Sequence, residues 1–539
     1  MNLLHTPWLP IRRASTGQRD WIAPYQLSDP DVLTFDASRA DFNGALLQFA
    51  IGLLQTATPV DSPMQWDKCF TAPPDADELI RWFKPLESAF ILNGAGPRFL
   101  QDLSLQPDEG ATNEIAGLLI EAPGEQTLKN NADHFIKRDH VKGLCPDCTA
   151  TALLTLQINA PSGGAGHRTG LRGGGPLTTL VCRRPARSLW HDLWLNVREQ
   201  RRFLSQSGEV SKTAPHFTFP WLADITAIQP DKGQTAPVQV HPAHVFWAMP
   251  RRIRIDFEHT ESGACGICGR TSERLVSHYV TKNYGLNYKG PWEHPLSPYY
   301  ENKEEWLPLH PQPGGLGYRN WLAWILGMPT DGKQRKAAQT VTHHLGRRSP
   351  VLRGVGLGLH AFGYDMDNMK ARCWYESTLP TYGLTDCEPA ARERVQAEVA
   401  LWLAGAELAA TCLRGAVKDA WFSGDARGDF SMIDASFWSA TESAFYDVLN
   451  TLIEALRDGQ DFDELEARQG FHKTLKQQAT ALFDQHFVGS GAVERQRPRL
   501  IAAAYRQLRT NLNGPKLRKA LGLPRPAKKQ GKQPAQASA

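Results

Sequence analysis

The sequence predicts an α+β protein: a large mixed N-terminal globular domain with a zinc-stabilised region, followed by a C-terminal four-helix bundle. Three observations carry that expectation. Short apolar runs mixed with many Pro, Gly and Trp fill the first 380 residues or so. Two Cys-x-x-Cys pairs sit far apart within that stretch. Beyond residue 385 or so, apolar residues recur at helical spacing.

The chain has 539 residues, 41% hydrophobic and 22% charged, which supplies a real core and excludes a wholly disordered or collagen-like polymer. No run approaches the ~18 consecutive apolar residues that a membrane helix needs. Met1 to Pro10 lacks a basic segment followed by a long apolar run, so no secretory signal is read there. The expectation is a cytoplasmic protein without a membrane partner.

Taken in order, residues 1–380 read as the mixed domain. Asp41 to Leu54 has helical spacing, and Val238 to Ile255, rich in Val, Ile, Phe and Trp, reads as strand. Character changes near Thr385. Asp386 suits an N-cap, and Glu388 and Pro389 suit a first helical turn, with helix formers running to about Trp421. Phe445, Val448, Leu449, Leu452, Ile453 and Leu456 mark a second helix. Leu475, Ala479, Leu482 and Phe483 mark a third, and Arg499 to Leu512, with Pro498 near its start, a fourth. Residues 385–522 therefore read as the bundle. Pro524, Pro526 and Pro534 interleave with Lys and Gly, so 523–539 reads as a disordered basic tail.

Charge is unevenly spread. Arg495 to Ala539 carries twelve Lys or Arg and no Asp or Glu, which leaves 48 basic against 56 acidic residues elsewhere. A mildly acidic body with a basic end suits either local contact with a polyanion or a solubilising tail.

Nine cysteines, an odd number, argue against a secreted disulfide framework. Four of them form Cys145-Pro146-Asp147-Cys148 and Cys265-Gly266-Ile267-Cys268, with 116 residues between the pairs. Two intervening residues let both thiolates face one tetrahedral ion, and two such knuckles complete a four-thiolate shell for structural Zn2+. A redox pair, two separate metal sites and unliganded core thiols are the competing readings.

Residues 163–175, GGAGHRTGLRGGG, hold seven glycines, with His167, Arg168 and Arg172 as added donors. The stretch lacks the Gly-Lys-Ser/Thr of a phosphate-binding P-loop. It reads as a flexible loop or as a backbone contact to a phosphate or groove edge.

The sequence holds none of the familiar catalytic motifs: no His-Glu-x-x-His, no Gly-x-Ser-x-Gly, and no acidic partners for Asp365 and Asp367. His343-His344, beside Arg347 and Arg348, reads as surface. No catalytic residue is assigned. A zinc-stabilised nucleic-acid-processing enzyme is the alternative, and a plain scaffold is a third reading.

Several motifs in order resemble the CasA family, the large subunits of the Cascade surveillance complex in type I-E CRISPR systems. They are Met1-Asn2-Leu3-Leu4, Pro7-Trp8-Leu9-Pro10, the first Cys pair, Thr169-Gly170-Leu171-Arg172-Gly173-Gly174, Thr178-Thr179, the second Cys pair, Trp292 through Pro298, and Gly363-Tyr364. The resemblance runs to about residue 520. It implies a non-catalytic antiviral subunit that reads the protospacer-adjacent motif (PAM) in duplex DNA and assists strand separation and R-loop formation. It also implies partners: double-stranded target DNA, the 5′ handle of guide RNA, other Cascade subunits and a recruited helicase–nuclease.

The resemblance carries over residue by residue. The family's glycine loop falls on Gly163, Gly164, Ala165 and Gly166, with Ala165 where the family has Gly. Its lysine finger falls on Lys282, or on Asn283 across a one-residue gap. Its wedge falls on Asp367, Asn368 and Met369, with Asn368 where the family prototype has Gln. The loop 130–143, with Phe135, Lys137, Arg138 and Lys142, mixes an aromatic with cations. The resemblance places it against the RNA handle and neighbouring subunits.

Overall fold

The computed structural model describes residues 1–123, 129–130, 140–205, 211–230, 233–328, 334–346, 349–367, 369–422, 428–488 and 498–524. The chain is a mixed helix and sheet fold that divides into two compact units. One comprises Met1–Leu316 with Ala323–Asp386, the other Gly317–Leu322 with Cys387 onward.

The first unit opens with a three-stranded antiparallel sheet, β1 (Leu9–Arg13), β2 (Arg19–Ile22) and β3 (Val32–Phe35), in the order β2-β1-β3. The expected helix at 41–54 is α1 (Ala40–Ala57). It is buried nearly all round, as its Phe, Leu and Ile content requires. Phe49 is the hub of an aromatic core, edge-on to Trp8 at 5.2 Å, to Phe90 and Trp247 at 5.9 Å, and to Phe99 at 6.0 Å. Such edge-to-face pairs add roughly 0.5–1.5 kcal/mol each beyond their buried area.

Three further groups of strands and one helix position the candidate sites. Strand β4 (Ala111–Glu114) is followed by helix α2 (Pro146–Asn159) and strand β5 (Thr178–Arg183). The segment read as strand over 238–255 is mostly short 3-10 turns, and only β6 (Arg252–Ile255) is strand. Pro242 and Pro250 interrupt it and Pro237 precedes it, because proline withholds the ladder's N–H. Strands β7 (Thr260–Ala264) and β8 (Thr271–Val276) form a hairpin, and β9 (His278–Lys282) lies between β4 and β6. The longest pairing joins β10 (Leu357–Asp367) to β11 (Lys370–Pro380), while β10 also pairs with β5 on its other edge.

His343 and His344 are corrected by the structure: each is only 2% exposed. His344 donates Nε2–H to the Leu195 carbonyl, and His343 lies 3.6 Å from Glu199. Their helix (Gln339–Gly346) turns both rings inward, and the His344 ring lies 5.8 Å from Trp66, which stacks on Trp194.

The second unit is helical. It holds α3 (Pro389–Trp421), α4 (Ser431–Arg457), α5 (Glu464–Ala481), α6 (Pro498–Asn513) and α7 (Pro515–Ala520). Glu388, not Asp386, occupies the N-cap of α3, and Asp386 sits in the preceding 3-10 turn. Helix α3 packs against α4, α5, α6 and α7. Trp402 is fully buried, its ring 6.3 Å from Phe445 and 6.4 Å from Phe471. Tyr318, from the short inserted segment, donates or accepts a 2.7 Å bond with Thr441 and stacks on Phe445. Helix α7 was not foreseen. Its Pro515 stands at the first helical turn, where a missing N–H costs nothing, and Leu521 and Leu523 beyond it are buried. Residues 525–539 of the basic tail lie outside the described residues. By length and composition alone, α3 is long and apolar enough to cross a membrane. Its apolar face, including Val395, Val399, Trp402 and Leu413, is buried within the unit.

Candidate nucleic-acid interface and metal centre

The two Cys pairs, 116 residues apart in sequence, converge. The four sulfurs lie within 4.8 Å of one another, and Cys145 Sγ is 3.8 Å from Cys268 Sγ. Each pair is shaped by its own element. Cys145 is the N-cap of α2, with Pro146 at the first helical position, and its sulfur accepts the Cys148 N–H at 3.5 Å. Cys265 to Gly269 is the turn between β7 and β8, closed by Gly269 N–H donating to the Cys265 carbonyl at 3.0 Å. Gly266 N–H donates to the Gly143 carbonyl, and Leu144 pairs with Val276, so the backbone joins the two knuckles directly.

The donor set fits a metal ion. A tetrahedral four-thiolate shell with metal–sulfur bonds of ~2.3 Å separates sulfurs by ~3.8 Å. Without a cation the thiols contend for charge. Hydrogen bonding with Cys145 pushes the Cys148 thiol up and draws Cys265 down to about 6 and Cys268 lower still. Arg270, just past the second pair, is ion-paired with Asp147 of the first and lies 4.1 Å over the Trp21 ring. The sequence reading missed this clamp. Its only local signal was an acid inside one knuckle and a cation beside the other.

The glycine loop Gly163–Gly166 leaves the end of α2 and is largely exposed. Gly164 and Gly166 have φ of +91° and +80°, the left-handed region that favours glycine. Ala165 keeps a negative φ, so the replacement of Gly there carries no strain. The structure brings this loop against the candidate finger. Tyr284 N–H donates to the Gly166 carbonyl at 2.8 Å, and a Cβ on Gly166 would stand 2.6 Å from Asn283 Cβ. Lys282 ends β9, half exposed, with Nζ 3.9 Å from Glu109. An exposed pair at that distance is worth at most ~1 kcal/mol, so the amine is free to exchange partners.

Tyr284 is the residue that sequence reasoning passed over. It is 44% exposed, holds φ +66° and lies beneath the Arg168 guanidinium at 5.6 Å. Arg251, from the segment leading into β6, donates to His167 Nδ1 and to the Pro161 carbonyl, fixing the base of the loop. Burial, with Arg251 beside it, holds the His167 ring below its ordinary value, so it serves as an acceptor.

Arg172 is corrected: it is buried and presents no charge at the exposed glycine loop. It is 4% exposed and donates to Thr178 at 3.0 Å, Ser297 at 2.8 Å and Gln48. Burial lowers it to about 10.

The candidate wedge is the tip of the β10–β11 hairpin, where Asp367 pairs with Lys370. Asp367 and Met369 are exposed, Met369 by 52%. Asn368 lies outside the described residues, as do Phe135, Lys137 and Arg138 of the candidate RNA loop. Asp365 is buried and bound to Arg372 at 2.7 Å, which occupies it structurally. Tyr364 of the Gly-Tyr motif donates to Asp41 at 2.7 Å and packs edge-on to Trp374, anchoring the hairpin to α1. Among the described residues no hydrogen bond or ion pair joins Asp367 or Met369 to the glycine loop or Lys282.

A family model described as CRISPR-associated protein Cse1 matches residues 2–482. The fold is shared with the crystal structure of Thermobifida fusca Cse1, at TM-score 0.67 and 15% identity over 97% of this chain and 98% of that one. It is shared with CasA of Thermus thermophilus, at TM-score 0.66 and 16% identity over 95% and 99%. A chain of a CRISPR RNA-guided surveillance complex matches at TM-score 0.62 and 16% identity over 95% and 99%.

Proposed function

The chain belongs to the CRISPR-associated protein Cse1 family, the CasA subunits of type I-E Cascade, and from that premise we propose that it reads the PAM in duplex DNA and starts strand separation. It is a Cascade subunit; guide RNA pairing then supplies the long sequence choice, while protein contacts at a short motif open the duplex. One observation carries the reading: the glycine loop and the Lys282–Tyr284 turn, more than a hundred residues apart, share a hydrogen bond and approach so closely that Gly166 has no room for a side chain. Together they form one ridge of exposed backbone, a mobile amine and an aromatic ring. Lys282 in the minor groove donates to the acceptors there and neutralises phosphate. The hairpin tip, Asp367 to Met369, acts as the wedge, with Met369 pressing on a base step.

Cys145, Cys148, Cys265 and Cys268 hold structural Zn2+, which when bound cross-links the N-terminus of α2 to the β7–β8 turn. Four thiolates leave no open position for water, so the role is not catalytic. The helices of the second unit form a bundle that holds the displaced strand and helps recruit the helicase–nuclease. The loop with Phe135, Lys137 and Arg138 meets the guide RNA handle. The subunit breaks no covalent bond and works in the cytoplasm.

The test is duplex binding by the assembled complex. Lys282→Ala should weaken binding to PAM-bearing DNA, and if the amine neutralises one phosphate the log–log salt slope should fall by roughly 0.9. Equal affinity for PAM-bearing and PAM-less duplexes in the intact complex would reject the reading.

A further inference from the structure

Two motifs left without a role by the DNA-reading site, Thr169–Gly174 and Trp292–Pro298, meet in the interior of the first unit. Arg172 of one donates to Ser297 of the other at 2.8 Å. Beside them lies a cavity of about 20 Å³, room for one water-sized particle, lined by Gln48, Gln157, Leu171, Arg172, Phe246 and His294.

The polar groups on that lining are unbalanced. The Gln48 oxygen accepts from Arg172 and Thr178, and its amide donates one of its two hydrogens to the Gly44 carbonyl. Gln157 donates to the Leu100 and Arg251 carbonyls and accepts from Arg251 N–H. Ser297 Oγ–H donates to the Leu177 carbonyl at 2.7 Å. Two titratable side chains keep free donors. The Arg172 bonds run from Nη1 to Thr178 and Ser297 and from Nη2 to Gln48, which leaves Nε–H and one Nη2–H without a partner. His294, 3% exposed, accepts the Leu296 N–H on Nδ1 at 3.2 Å, which puts the ring proton on Nε2, again without a partner.

No carboxylate pairs with Arg172 among the described residues, and a buried, uncompensated charge costs several kcal/mol. A water could accept from these donors but would leave the guanidinium charge uncompensated. An anion supplies the acceptor and the counter-charge together. We propose that this cavity is a binding site for a small monovalent anion, chloride in the cell, held between Arg172 and His294. The anion completes the guanidinium's partners and locks the two motifs together at the root of the segment that carries the glycine loop. Burial lowers both Arg172 and His294, in keeping with a site that needs a counter-charge.

Crystals of the full chain grown with bromide in place of chloride should show an anomalous peak in the cavity, within hydrogen-bond distance of both side chains. In solution, Tm at constant ionic strength should rise as chloride replaces gluconate, since a ligand that binds only the folded state stabilises it by mass action. Arg172→Gln should abolish that rise. His294→Phe, which removes one donor to a charged partner, should shift the chloride midpoint roughly tenfold or more. An ordered water with no anomalous signal, a wild-type Tm indifferent to chloride, or an unchanged midpoint in His294→Phe overturns the assignment. If Arg172→Gln fails to fold, the bromide crystal and the wild-type titration decide.

Discussion

Replacing Gly166 with Ala, set against the same change at Gly164, tests whether the glycine loop and the Lys282–Tyr284 turn act as one ridge. Both glycines have positive φ, so both substitutions share a left-handed penalty of ~1–2 kcal/mol. They differ in what the new Cβ meets. At Gly164 there is nothing within 4 Å, whereas at Gly166 the Cβ lies 2.6 Å from Asn283 Cβ and 3.3 Å from a Tyr284 ring carbon. Carbons in contact prefer ~3.5–4.0 Å, so the ridge must part by about 1 Å. Overpacking of that kind costs about 1–3 kcal/mol. Because the loop is exposed, the chain can shed the clash by breaking the Tyr284–Gly166 hydrogen bond, leaving global stability nearly unchanged. Re-forming the ridge on DNA then carries the cost. Gly166→Ala should therefore bind a PAM duplex roughly 5- to 150-fold more weakly than Gly164→Ala, with similar Tm values. The assay is equilibrium binding by the assembled complex across PAM variants. Indistinguishable affinities for the two variants would refute the coupling of loop and finger.

Three further outcomes follow from the described geometry. Elemental analysis should find about one zinc per wild-type chain and none in Cys265→Ser; equal metal content would mean that the four cysteines do not share a site. Buried His244, bonded to the Phe217 carbonyl and Tyr288 at 2.9 Å each, is lowered by burial to about 4. Its folded value lies below the unfolded ~6.5, so stability is complete above pH ~6.5 and erodes as pH falls toward 4, by ~3 kcal/mol in all. His244→Gln should flatten that part of the stability–pH curve, and an identical slope would show that the ring is not held neutral. Tyr318→Phe removes a bond whose partner, Thr441, keeps its 2.8 Å bond to the Phe437 carbonyl, so the helical unit should lose ~1 kcal/mol in urea unfolding. No loss would detach the 317–322 segment from that unit.

Much of the candidate site was legible because its signals are local or ordered along the chain. The Cys-x-x-Cys knuckles point by their spacing to a shared four-thiolate site, and the four sulfurs do come together in the fold. The long helices α3 and α4 show because apolar residues repeat at helical intervals over many turns. Short elements were harder. The 238–255 segment has strand composition, yet Pro237 just before it and prolines at 242 and 250 within it favour turns. Helix α7 hid behind the proline that starts it.

Motif order and the spacing of sulfur, glycine and apolar residues determined the family, the four-cysteine centre and the run of C-terminal helices, since each is written in neighbours a few positions apart. Only the folded chain decided which charges face solvent. Arg172 and the His343–His344 pair look like surface groups in the sequence and are interior ones in the structure, while Tyr284, an unremarked aromatic, stands exposed against Gly166. The physical reason is that burial depends on contacts between segments far apart along the chain. The electrostatic worth of a guanidinium or imidazole is set by that enclosure, not by the residues on either side of it.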